Sequence, residues 1–265
     1  MKRAAALGLA LSLAASLAAG LATAQTLPDL KGREVTVVTE NAYPPLQFLD
    51  KSGAAVGWEY DAMAEIAKRL NITVKYENIS WDAMIPAVSA AQYDMGMTGI
   101  TITEEREGQV DFSEPYMRSE MLMIVRGDEV RFTDAASFAA DPKLLISAQA
   151  GTSPFYAAIY NVLDGNEENP RVIKFETFGA GLQALTVGDV DLTLSDSTAA
   201  NGYVAASGGK LKIIGAPLAS EDFGFIFPKG SELVTPFNAA IESLKADGTI
   251  EALNKKWFLD YKMGE

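Results

Sequence analysis

From Glu34 onward the chain alternates short apolar segments of β character with helical ones, and this alternation narrows the choice of fold class more than any other feature. Segments 35–39, 72–76, 93–97, 144–148, 171–175 and 191–195 read as strands, and helices are predicted over 81–92, 154–163 and 179–187. Tyr60, Met63, Ile66, Ala67 and Leu70 recur at helical spacing, so that stretch is a helix with one face in the core. The pattern predicts an α/β fold with a largely parallel sheet. Residues 121–125 and the turn at Gly127 and Asp128 separate a first series of units from a second. A strand over 211–214 should end in a bend at 215–217, followed by a strand over 224–227 and closing helices over 231–246 and 250–261. Three strands run out into loops of small polar residues that open helices: Thr98 with Gly99, Gly151 to Ser153, and Ser195 to Ser197. Ligands of open α/β sheets collect at such strand ends, where helix N-termini offer free N–H groups, so a cleft between two units is expected.

The first residues have the layout of an export signal. Lys2 and Arg3 precede an apolar run over 4–17, and Ala22-Thr-Ala24 supplies a small-x-small cleavage site. A signal peptide over 1–24 is expected, leaving Gln25 at the mature N-terminus. An uncleaved anchor fits less well, because Gly8, Ser12, Ser16 and Gly20 interrupt the run. The sequence has no cysteine, which excludes disulfides, thiolate chemistry and a lipid-modified N-terminal cysteine, and places the exported chain free in a periplasm. It also has no histidine, so neither a zinc site nor a Ser-His-Asp arrangement is expected, and no metal or cofactor is anticipated. Without Lys2 and Arg3, 20 basic residues remain against 35 acidic ones, which makes nucleic acid and anionic lipid poor partners.

The stretch 98–106 carries the most chemistry. Gly99 lets the backbone approach whatever sits above the strand end. Thr101 and Thr103 are both good N-caps, and Thr101 with Glu104 reads as a capping box. Arg106 then stands one turn into a short helix, and a guanidinium fork beside free N–H groups and a hydroxyl suits a carboxylate. Taken alone, Arg106 would be read as a surface partner of Glu105 or Asp111. The pattern Gly99-Ile-Thr-Ile-Thr-Glu-Glu-Arg106, followed by Asp111-Phe-Ser-Glu-Pro-Tyr116, closely resembles the polar amino-acid-binding proteins of bacterial ABC importers, the family 3 extracellular solute-binding proteins. The resemblance runs from about Val35 to the C-terminus.

This resemblance implies a two-lobed periplasmic binding protein fold of type II, each lobe a mostly parallel sheet flanked by helices. Lobe 1 would hold 26–117 and 221–265 and lobe 2 118–220, with a two-segment hinge near 115–120 and 219–223. Arg106 would clamp a ligand carboxylate together with the N–H groups of Thr101 and Thr152 and the Thr152 hydroxyl. Asp196 would take the α-ammonium with the Gly99 carbonyl and the Thr101 hydroxyl, leaving Asp191 a structural role. Tyr43 and Trp81 would sandwich the side chain, Glu40 would meet its polar end, and Thr98, Gln149 and Ser153 would complete the pocket. Tyr93, Phe112, Tyr116, Trp257 and Phe258 are expected in packing roles.

The implied function is periplasmic capture of a polar amino acid by hinge closure and its delivery to an inner-membrane ABC permease. Glu40 and the acidic balance lean toward a cationic or amide side chain, with zwitterionic osmolytes still open. No catalytic residue is expected, and a monomer is the default. The rival is a cyclohexadienyl or prephenate-type dehydratase on the same scaffold, against which stands the lack of histidine and of any obvious buried acid besides Glu40. A sensory input domain is a third reading, disfavoured because no membrane segment or signalling domain follows in the sequence.

Overall fold

The computed structural model describes residues 27–262, so the expected signal peptide over 1–24 and the mature start at Gln25 lie outside the described residues. Two five-stranded sheets organise the chain. In the first, the strands run in the order Ile72–Asn78, Arg33–Thr39, Met95–Gly96, Ile226–Phe227 and Asp111–Phe112. The first three are parallel and the last two pair antiparallel. The second sheet repeats the plan with Val172–Phe175, Ile146–Gln149 and Leu192–Asp196 parallel, then Met117–Arg126 and Leu211–Phe223 antiparallel.

The apolar runs make sense once both faces of each sheet are covered. Met121, Met123 and Val125 pack into one cluster with Ile146, Leu192 and Phe138, while Leu122 and Ile124 point the other way, toward Phe178, Leu182 and Leu185. A strand buried on both sides shows no polar alternation, which is why 121–125 reads as a continuous apolar segment. The first sheet divides similarly: Val35 and Val37 face Trp58, Met63 and Phe237, and Val38 faces Met84, Val88 and Val110.

Several local expectations need correction. Residues 215–217 do not end a strand; Leu211–Phe223 is one strand whose register shifts between Ile214 and Ala219, so the Gly-Ala-Pro stretch is an irregularity within it. The helix over 81–92 stops at Ser89 and carries Pro86 inside it. The helix over 154–163 is a short α-helix, Ser153–Ala157, running into a π-helical turn, Ala158–Val162. A small sheet of Ala42–Tyr43, Gln47–Leu49 and Ala55–Val56, not expected from the sequence, builds the loop that carries Tyr43.

Two features position the site. Met117 to Met121 pair residue by residue with Phe223 to Ala219, so the two segments that cross between the sheets form one antiparallel ribbon. Gly57 starts the helix Trp58–Leu70 at φ 139°, and a β-carbon there would sit 2.2 Å from the Leu46 carbonyl oxygen. Neither the dihedral nor that backbone contact tolerates a side chain. Gly57→Ala is therefore expected to lower unfolding free energy by about 3 kcal/mol or more, read as a shift in the urea midpoint. A midpoint unchanged from wild type would contradict this packing.

Candidate functional site

The carboxyl ends of the parallel strands of both sheets open onto one cavity enclosing about 670 Å³ of unfilled space, including its mouth. Every residue expected to hold a ligand lines it: Glu40, Tyr43, Trp81, Thr98, Gly99, Thr101 and Arg106 from the first sheet's side, and Gln149, Thr152, Ser153 and Asp196 from the second's. Glu40 follows Arg33–Thr39, Thr98 and Gly99 follow Met95–Gly96, and Thr152 follows Ile146–Gln149. Asp196 ends Leu192–Asp196.

Arg106 sits at the junction of the two sides and is only 7 % exposed. Its Nη1 donates to the Thr101 carbonyl (2.9 Å) and the Ser153 hydroxyl (3.4 Å), and its Nη2 to the Gly151 carbonyl (3.2 Å). Its guanidinium carbon lies 4.9 Å from the centre of the Trp81 ring, a cation–π contact. Among the described residues this leaves Nε and one Nη2 hydrogen for a ligand. Burial lowers the guanidinium's pKa, and the charges of Glu221 and Glu105 act the other way. The pairing with Glu105 or Asp111 alone is thus not its role.

The helix that carries Arg106 differs in detail from the sequence reading. Its N-cap is Thr103, whose hydroxyl accepts from the Arg106 amide (3.2 Å), so the Thr101–Glu104 capping box does not form. Thr101 is freed for other partners. Its hydroxyl accepts from Ser153 Oγ (2.8 Å) and donates to Glu221 Oε2 (2.7 Å). The expected Thr152 hydroxyl contact also changes: that group donates to the Gln149 carbonyl (2.7 Å) and caps the helix Ser153–Ala157.

Asp196 is 1 % exposed and caps Ser197–Ala206. Its Oδ1 accepts from the amides of Thr198 (2.8 Å) and Ala199 (3.3 Å) and from the hydroxyls of Thr198 and Ser119. Oδ2 accepts from the Tyr43 hydroxyl, which also meets Ser195 Oγ (3.0 Å). Tyr43 packs edge-on against Phe178 with ring centres 5.2 Å apart. Burial first, then the Asp196 charge, push the Tyr43 phenol well above its usual range. Glu40 Oε1 accepts from Gln149 Nε2 (2.7 Å), and burial raises its carboxyl's pKa. Asp191, by contrast, lies in ion pairs with Arg126 (3.0 Å) and Arg131 (2.5 Å), which is a structural role.

Two buried acids were not anticipated, and they correct the expectation that Glu40 is the sole candidate. Glu221, 8 % exposed, lines the cavity from the crossing strand. Glu59, fully buried, accepts from the Gly99 amide (2.9 Å) and the Tyr116 hydroxyl (2.5 Å), fixing the loop that forms one wall. A count of helix faces reveals Glu59, because it lies three, four and seven residues before Ala62, Met63 and Ile66 of the buried stripe. Glu221 carries no such signal: it sits in a polar run, Ser220-Glu-Asp222, and becomes legible only once its strand is paired. Phe178 and the hydrogen-bonded pair Ser147 and Thr193 also line it.

The chain belongs to the bacterial extracellular solute-binding proteins, family 3, whose profile matches residues 35–260. It is 33% identical over 227 residues to the L-cystine-binding protein TcyA of Bacillus subtilis strain 168, spanning 84% of this chain and 81% of that protein. Among solved structures it resembles the arginine-, lysine-, histidine-binding protein ArtJ of Geobacillus stearothermophilus, with a TM-score of 0.78 at 31% identity, covering 88% of this chain and 97% of that one. It also resembles an ancestral amino acid-binding protein described as a precursor of cyclohexadienyl dehydratase, with a TM-score of 0.76 at 30% identity over 85% of this chain and 95% of that one. The fold is thus the two-lobed type II periplasmic binding protein fold expected from the sequence. The family and these relatives are described as binding proteins, and the dehydratase alternative is represented among these neighbours by that ancestral precursor.

Burial pushes the carboxyl of Glu59 up to about 7 from its ordinary 4.5, against the opposing bonds from Tyr116 and Gly99. A carboxyl with a raised pKa binds its proton more tightly in the folded chain. Its contribution is full below the ordinary value and is lost as pH rises toward 7. Stability of the ligand-free protein should therefore fall between about pH 5 and pH 8, and Glu59→Gln should remove about 1–3 kcal/mol of that fall. Urea titrations at several pH values measure it; an equal decline in the variant would contradict the assignment.

Proposed function

We propose that this chain captures a polar L-α-amino acid in the periplasm and presents it to an ABC permease of the inner membrane, with a cationic side chain preferred. One observation carries the reading: a buried guanidinium, Arg106, and a buried carboxylate, Asp196, line one cavity between two sheets. That is the charge separation an amino-acid zwitterion needs. Arg106 takes the carboxylate and Asp196 the ammonium, while Tyr43 and Trp81 flank the side chain. Glu40 supports the cationic preference. With Asp196 and Glu221 it sets three carboxyls against one guanidinium in the cavity, an excess that a second ligand cation offsets. Relatives named for binding arginine, lysine and histidine fit the same preference.

Capture proceeds by closure about a hinge formed by 115–120 and 219–223, with 26–117 and 221–265 as one lobe and 118–220 as the other. The ligand favours the closed population by touching both lobes, so its affinity is net of the cost of closing.

A thermal-shift screen of refolded protein tests the reading. L-Arginine, L-lysine or L-histidine at about 100 times its Kd should raise Tm by about 5–10 °C, with L-glutamate inert. A response to a cyclohexadienyl acid and to no amino acid would overturn it. Arg106→Ala and Asp196→Ala should each weaken binding at least about 100-fold, since each removes a buried charge-assisted contact. Calorimetry showing wild-type affinity in either would exclude the site.

A further inference from the structure

One buried acid has no part in the ligand contacts above. Glu59 is fully buried in the helix Trp58–Leu70, and no cation among the described residues acts on it. Its Oε1 accepts from the Gly99 amide at 2.9 Å and from the Tyr116 hydroxyl at 2.5 Å, while its Oε2 is buried without a hydrogen-bond partner. A neutral amide oxygen would tie the same loop to the same tyrosine. A buried carboxyl with one oxygen unsatisfied and no counter-charge is costly. That cost points to a cation that the chain itself does not supply.

The groups around Glu59 locate this cation. Gly99 lines the cavity, and its carbonyl receives no hydrogen bond from the described residues. Its backbone takes φ 63°, a conformation natural to glycine, so a bond on its amide helps to hold the direction of the carbonyl that follows. Tyr116 anchors Glu59 in turn. Its ring is stacked between Trp58 and Phe225, with centres 5.2 and 4.5 Å away, and its amide donates to the Phe223 carbonyl at 3.0 Å, at the end of the crossing ribbon. Resting on the amino-acid reading above, we propose that Glu59 is a positioning residue for the ligand's α-ammonium: it braces the Gly99 loop from behind, and its carboxylate adds a second negative charge, one peptide behind the cavity wall, to that of Asp196.

This contribution depends on pH. Burial raises the Glu59 carboxyl to about 7, the Tyr116 and Gly99 bonds oppose that rise, and the Asp196 charge adds to it. Tyr60, the next residue on the helix, feels the Glu59 charge, and burial holds both Tyr60 and Tyr116 above the ordinary phenol range, so neither titrates near 7. A cation held beyond Gly99 favours the charged form of Glu59 and lowers its pKa. By linkage, the charge contribution to affinity is absent below about pH 6 and present above about pH 8.

The test is calorimetric titration of the refolded protein with L-arginine at several pH values, on the wild type, Glu59→Gln and Tyr116→Phe. A glutamine oxygen still accepts from Gly99 and Tyr116, so a bracing role alone survives that change. At about pH 8, Glu59→Gln should bind about 3- to 10-fold more weakly than the wild type, as removal of a unit charge behind one peptide implies; at about pH 5.5 the two should agree within about 1.5-fold. Glu40 and Glu221 also have raised carboxyls, but they are present in both proteins and cancel in this ratio. Tyr116→Phe keeps the stacked ring and loses an O–H that favours the charged form, so the rise of affinity with pH should move to higher pH. A ratio of wild type to Glu59→Gln that does not change with pH, or a variant that binds more tightly, would overturn the role of Glu59 while leaving the amino-acid reading intact. A wild type that does not bind L-arginine would contradict that reading, and the inference falls with it. Should Glu59→Gln not fold, Tyr116→Phe decides, and a rise at the wild-type pH overturns the proposal.

Discussion

The backbone ladder between 117–121 and 219–223 is the constraint on which the site depends. It joins the two sheets through paired strands, so their parallel strands end at one shared gap. The Arg106 loop is tied to the same ribbon. Thr101 bridges to Phe223, the Ile102 amide donates to the Asp222 carbonyl (2.9 Å), and the Gly224 amide donates to Ile100 (3.0 Å). Residues on either side of Thr101 spend their backbone groups on the ribbon. Thr101 itself is left to meet Arg106, Ser153 and Glu221. A guanidinium can be held without a partner carboxylate here because carbonyl oxygens on both sides of the gap receive its hydrogens.

The gap is bridged by contacts that a ligand must share or replace. Tyr43 to Asp196, Gln149 to Glu40 and Ser153 to Thr101 all cross from one sheet's loops to the other's. They stabilise the closed arrangement even without an occupant, while crowded carboxyls destabilise it: burial and neighbouring acids raise both Glu40 and Glu221. In the proposed reading a zwitterion would enter this balance favourably at two points, its ammonium relieving the acids and its carboxylate meeting the unused edge of Arg106. Polar contacts across the gap and a charge deficit within it are complementary requirements on a binding protein that must close on its ligand and open again.

Most of the fold and of the candidate site could be read from the sequence, for identifiable reasons. Strands buried on both faces leave short continuous apolar runs, and 35–39 and 121–125 are visible as such. Helix caps are local, so Thr152 and Asp196 could be seen as loop residues that open helices. The spacing around Arg106 was specific enough to resemble one family. What escaped depends on contacts distant in the chain. The register shift in Leu211–Phe223 hid a long strand behind a glycine and a proline. The capping box assigned to Thr101 failed because the helix starts later, with Thr103 as its N-cap, and the Thr101 hydroxyl lies instead between Ser153 and Glu221, the latter 120 residues away. Glu59 was a charge on a core face, overlooked because its partners, the Gly99 amide and Tyr116, come from later segments.

The central claim is that a ligand bound between the two sheets draws them together. The chain has no cysteine, so spin labels placed at Ser52→Cys and Asn166→Cys, both exposed and on opposite sides of the gap, report that separation alone. Pulsed electron–electron resonance on refolded protein should give a broad distance distribution that narrows and moves to shorter values with saturating L-arginine. An unchanged distribution in a sample that calorimetry shows to be saturated would contradict capture by closure.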